Sequence, residues 1–98
     1  MEIEYRSSRI RKVCTNAHEA ELKHGIKMAA LIHQRIDEIS ASPSIEILVQ
    51  YRIGRCHPLK GPRKEQYAMD LVQPYRLIFE KRSSRIEVAR IMEIVDYH

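Results

Sequence analysis

Apolar positions recur with two periods along the 98 residues, and the change of period divides the chain. Glu2-Ile3-Glu4-Tyr5-Arg6 alternates polar and apolar, which predicts a short strand. Ser7-Ser8 offers a helix N-cap, and Ile10, Val13, Cys14 and Ala17 follow at helical spacing. Asn16 with Glu19 has the form of a capping box for a second, longer helix. Along it, Leu22, Ile26, Ala29, Ile32, Ile36 and Ile39 make one apolar stripe facing a core. Gly25 weakens that helix by up to ~1 kcal/mol relative to Ala, and Ser42-Pro43 ends it, because proline disfavours helical geometry in the residue before it. The two helices form a hairpin. Ser44-Ile45-Glu46-Ile47-Leu48-Val49 suits a short helical turn.

Beyond residue 54 the pattern shifts to a period of two. Residues 54–61 read as a loop or edge strand holding His57, Pro58 and Lys60. Residues 66–72 alternate, with Tyr67, Met69 and Leu71 on one face; Gln73-Pro74 is turn chemistry. Residues 75–82 follow as a strand with Tyr75, Leu77 and Phe79 on one side and Arg76, Ile78 and Glu80 on the other. Residues 81–84 turn the chain, and 86–95 form the last strand. Strands in series after two helices predict an α+β domain spanning 1–98, with an N-terminal strand and a helical hairpin packed on one face of a mostly antiparallel sheet. The other face is left open.

Composition narrows the class. Apolar residues make up 44% of the chain, but their longest run is a few residues, far short of the ~20 that a membrane span needs. Met1-Glu2-Ile3-Glu4-Tyr5 lacks the basic and then apolar regions of a signal peptide, so a cytoplasmic protein is expected. Cys14 and Cys56 are then expected as thiols rather than a disulfide. Net charge is +4, unevenly placed: Arg52, Arg55, Lys60, Arg63 and Lys64 fall within 13 residues that contain no acid. Taken alone, such a run fits a solvated loop better than a polyanion contact, although clustered Lys and Arg are what nucleic acid requires.

The candidate chemistry lies in this second half. His57 and Lys60 are three apart; histidine transfers protons near neutral pH, and a lysine can hold a phosphate or offset the charge of a phosphorane. Alone, the pair is more readily two exposed side chains. Arg76 leaves its strand opposite Leu77, either as a surface partner of Glu80 or as part of a site. Asp96-Tyr97-His98 puts three proton-handling groups at the end of the last strand. No C-x-x-C, no histidine pair at i, i+4 and no glycine-rich phosphate loop occurs, so no metal or cofactor is expected. Such groups suffice for metal-independent RNA cleavage, because the 2′-hydroxyl is the substrate's own nucleophile.

At these residues the sequence resembles the RelE/ParE superfamily of bacterial type II toxins, most closely its HigB (plasmid-maintenance killer) branch. The likeness runs through Cys56-His57-Pro58-Leu59-Lys60-Gly61 with Arg63-Lys64, Tyr67-Ala68-Met69-Asp70-Leu71 with Tyr75-Arg76-Leu77-Ile78-Phe79-Glu80, and Glu93-Ile94-Val95-Asp96-Tyr97-His98. Together these cover roughly the C-terminal half, in order. The resemblance implies a RelE-like fold with a curved sheet, and a ribosome-dependent endoribonuclease that cuts mRNA in the A site. It implies His57 and His98 as acid–base residues, with Tyr97 and Asp96 orienting or assisting. Lys60 and Arg76 would stabilise the scissile phosphate, and Arg55, Arg63 and Lys64 would grip RNA backbone. It further implies a helix-turn-helix, HigA-like antitoxin, with operator DNA reached only through the antitoxin complex. The ParE branch, which poisons DNA gyrase, and a non-catalytic RNA- or protein-binding module are the alternatives.

Overall fold

The computed structural model describes residues 1–63, 65–82 and 87–96. Its elements are β1 (Glu2–Tyr5), α1 (Ser8–Thr15), α2 (Ala17–His24), α3 (Ile26–Ala41), α4 (Ile45–Gln50), β2 (His57–Pro58), β3 (Gln66–Asp70), β4 (Tyr75–Lys81) and β5 (Val88–Asp96). The strands form one sheet in the order β1-β5-β4-β3-β2, in which only the β1–β5 pair is parallel. This is the expected α+β architecture, with helices on one face of a mostly antiparallel sheet.

The helix caps sit where the sequence places them. The Ser7 hydroxyl accepts from the Ile10 N–H at 3.3 Å, and the Asn16 side chain accepts from the Glu19 N–H at 3.1 Å. The long helix, however, is two. Gly25 adopts φ +86°, a conformation that glycine tolerates far better than other residues, and the helix ends there before the chain restarts as α3. The apolar stripe is therefore cut: Ala29, Ile32, Ile36 and Ile39 are buried, whereas Leu22 and Ile26 beside the break are 71% and 75% exposed.

Alternation carries the rest. Met69, Leu71, Leu77, Phe79, Ala89 and Ile91 face the helices and pack with Val13, Cys14, Met28, Ile32 and Ile39. Tyr67 stacks on Phe79 with ring centroids 5.5 Å apart. The short α4 is part of this core, burying Ile45 and Leu48. Its N-terminus is tied to the sheet by the Glu87 carboxylate, which accepts from the Ile45 N–H at 2.6 Å. No helix among the described residues is long and apolar enough to cross a membrane.

Both cysteines are buried thiols, and burial pushes each up to about 12. In the unfolded chain a thiol ionises near its ordinary value of about 8.5. Above that the unfolded state binds fewer protons than the folded one, so stability falls as pH rises from about 9 towards 12. The slope is up to ~1.4 kcal/mol per pH unit for each thiol, steepened above pH 10 by Tyr5 and Tyr67, whose phenols burial also raises. Urea unfolding under reducing conditions should show this alkaline loss, and a Cys14→Ala/Cys56→Ala variant should lose most of its slope between pH 9 and 10. An unchanged slope would refute the assignment.

A candidate acid–base and phosphate site on the open sheet face

Strand register sorts the remaining side chains. His57 pairs with Ala68, Ala68 with Ile78, and Ile78 with Glu93, so these four form one row on the face away from the helices. The adjacent row is Asp70, Arg76 and Val95. From His57 to Arg76 is two strand spacings across and one row along, about 12 Å between backbones.

The segment entering β2 is wound tightly. Arg52, Gly54 and Arg55 have φ of 52°, 57° and 57°, around a 3-10 turn at Ile53–Arg55. A left-handed arginine costs on the order of 1–2 kcal/mol, so two in four residues must be held by their surroundings. Arg35 of α3 packs against this turn. Its guanidinium lies where a side chain on Gly54 would be, with Nε 2.7 Å from the position of a Cβ. That Nε donates to the Asp70 carbonyl at 2.7 Å, and Nη1 donates to Glu38 at 2.9 Å. One buried cation thus bonds α3 to the end of β3 and packs against the 52–55 turn at Gly54.

The turn then sets His57. Its Nδ1 lies 2.9 Å from the Arg55 carbonyl oxygen. A carbonyl only accepts, so Nδ1 carries the proton and Nε2 of the neutral ring has the lone pair. A proton acceptor is thereby oriented by backbone rather than by a mobile side chain.

Arg76 is paired, but with Asp70 rather than Glu80: its Nε is 3.4 Å from Asp70 Oδ1, while Oδ2 is 3.4 Å from Nε of Arg55. Glu80 instead takes a 3.5 Å bond from Gln66 Nε2 and a 3.7 Å contact from Arg82. Arg63 reaches from the turn after β2 to Glu93, with Nη2 3.5 Å from Oε2. Ala68 and Ile78, between His57 and Glu93 in that row, are both fully buried. The acid-free basic run of the sequence is therefore partly neutralised in space by Asp70 and Glu93, two acids that sequence distance separated from it.

Of the residues singled out by sequence, His57, Arg55, Arg63 and Arg76 come together on this face. Lys60 lies just past β2 with no ion pair among the described residues. Asp96 does not join Arg76: the register sets it opposite Tyr75, on the side of Leu77 and Ile94. Lys64, Tyr97 and His98 lie outside the described residues. Asp70 and Arg35 were missed. Alternation does put Asp70 on the face of Arg76, but nothing in the sequence marks Arg35, one polar residue on a helix with many. A separate cleft beside Arg6, Arg9, Lys23 and His24 lies between the first two helices and β5.

No family model and no curated protein matches the chain in sequence. Among solved structures, the chain is similar to a YoeB/ParE toxin from Agrobacterium tumefaciens, with a TM-score of 0.70 over 100% of both chains at 14% identity. At that identity the likeness is one of fold: the chain has the architecture of a YoeB/ParE toxin.

Proposed function

We propose that the chain is the toxin of a bacterial type II toxin–antitoxin pair, of HigB type, and that it is a ribosome-dependent endoribonuclease. The observation that carries this reading is the juxtaposition of an oriented histidine with a carboxylate-held arginine on one open face. His57 Nε2 removes the proton of a ribose 2′-hydroxyl. The 2′-oxygen attacks the adjacent phosphorus, and the P–O5′ bond breaks, giving a 2′,3′-cyclic phosphate and a 5′-hydroxyl. A second acid–base group, His98 with help from Tyr97, supplies the proton for the leaving oxygen; Asp96, which register puts on the other side of β5, is left out of the step. Arg76 and Lys60 offset the charge that builds on the phosphorane, and Arg55, Arg63 and Lys64 engage the RNA backbone. All these groups come from the chain and the substrate, so the mechanism calls on no metal.

The same reading gives the protein a helix-turn-helix antitoxin of HigA type, ribosome and mRNA as partners, and operator DNA only through the antitoxin complex. Primer extension of an mRNA translated in a purified system tests it. Cuts inside translated codons, absent when ribosomes are omitted, are expected. Double-strand breaks in DNA with intact mRNA would favour the ParE-like reading as a gyrase poison. Silence in both assays, with expression harmless to growth, would leave a non-catalytic RNA- or protein-binding module.

A further inference from the structure

Asp70 divides one carboxylate between two arginines of different exposure. Its side chain is 12% exposed, as a fixed feature of β3. On one oxygen it holds Arg76, a half-buried residue of the neighbouring strand. On the other it holds Arg55, whose side chain is 71% exposed and projects from a strained turn. Both contacts are 3.4 Å, and Oδ1 accepts no hydrogen bond from any described residue, so they are Coulombic rather than well-aligned bonds. A phosphate oxygen meeting Arg55 at ordinary hydrogen-bond length competes well against such a contact.

From this we propose that Asp70 is a positioning residue with two effects: it fixes Arg76 for the scissile phosphate, and it parks Arg55, which leaves Asp70 when RNA backbone arrives. The inference rests on the ribonuclease reading above. Its consequence is opposite in sign for binding and for turnover. Asp70 holds down RNA affinity by neutralising Arg55, and supports cleavage by orienting Arg76.

The test uses the full chain, a fluorescent single-stranded RNA with 2′-O-methyl ribose throughout, and cleavage of mRNA on programmed ribosomes. Asp70→Asn keeps the side-chain shape and leaves the Asp70 carbonyl to Arg35. It is expected to bind the oligonucleotide 3–10-fold more tightly, with a plot of log K against log salt steeper by about 0.7, one extra cation's worth on a single strand. The cleavage rate at saturation should fall at least tenfold. Adding Arg55→Gln should return affinity to the wild-type level or below. A purely structural aspartate would not give tighter binding with slower turnover, and unchanged or weaker binding by a variant that melts as wild type overturns the proposal.

Should Asp70→Asn fail to fold, nitrogen-15 spectra of the wild-type arginine Nε–H groups decide. The Arg55 resonance should move on adding the oligonucleotide, while that of Arg35, bonded to the Asp70 carbonyl, should not. Oligonucleotide binding and normal cleavage with Arg55 unmoved overturns this inference alone. No binding together with no cleavage overturns both it and the ribonuclease reading.

Discussion

Replacing His57 by alanine is expected to slow mRNA cleavage by about 10²–10⁴-fold, the usual contribution of a positioned general acid or base, while the protein still folds. The side chain is half-exposed and its single hydrogen bond, to the Arg55 carbonyl, contributes about 1 kcal/mol or less. His57→Asn makes the test sharper. The asparagine amide can still donate to the Arg55 carbonyl, so orientation survives, but nothing replaces the Nε2 lone pair. If His57 transfers a proton, the asparagine variant should be as slow as alanine. If His57 only shapes the turn, asparagine should restore cleavage. Single-turnover cleavage on programmed ribosomes, with thermal melts as a folding control, separates the two. Wild-type rates in both variants would remove His57 from the mechanism.

The two periods of the chain decided how much of this was legible beforehand. Once Tyr67, Met69 and Leu71 are given to the core, strand geometry forces Ala68 and Asp70 to the other face; the same logic sends Arg76 outward from Leu77. The sheet face of the site could thus be read residue by residue. Register could not, because alternation sets the face but not which residue lies opposite which. That Arg76 meets Asp70, and that Asp96 meets Tyr75 instead of Arg76, are facts of register. The break at Gly25 escaped for a related reason: a stripe spaced by threes and fours looks the same whether one helix carries it or two. Positive φ at Arg52 and Arg55 had no sequence signal at all, since arginine is not a residue that marks left-handed backbone. The terminal Tyr97 and His98, chemically the most suggestive part of the sequence, fall outside the described residues.

The largest effect on stability should come from a residue that touches no substrate. Arg35→Ala removes the donor to the Asp70 carbonyl, the partner of Glu38 and the packing beneath Gly54 in a single change. The Arg35 side chain is only 12% exposed, so its loss strands a buried carbonyl and leaves a void where the guanidinium lay. We expect a cost of about 2–4 kcal/mol, which for a domain of this size lowers Tm by roughly 10–25 °C. Arg35→Lys should recover only part of it, because an ammonium cannot reproduce the planar fork that reaches Asp70 and Glu38 together. The damage should also be local before it is global. Without Arg35 the left-handed turn loses the packing beneath Gly54, so the amide protons of Arg55 and Cys56, which bond to the Arg52 and Ile53 carbonyls at 2.9 Å each, should exchange faster than those of β4 and β5. His57 hangs from that turn through the Arg55 carbonyl, and cleavage per folded molecule should fall with it. A variant that melts and exchanges like wild type would show that the strained turn is held by something other than Arg35.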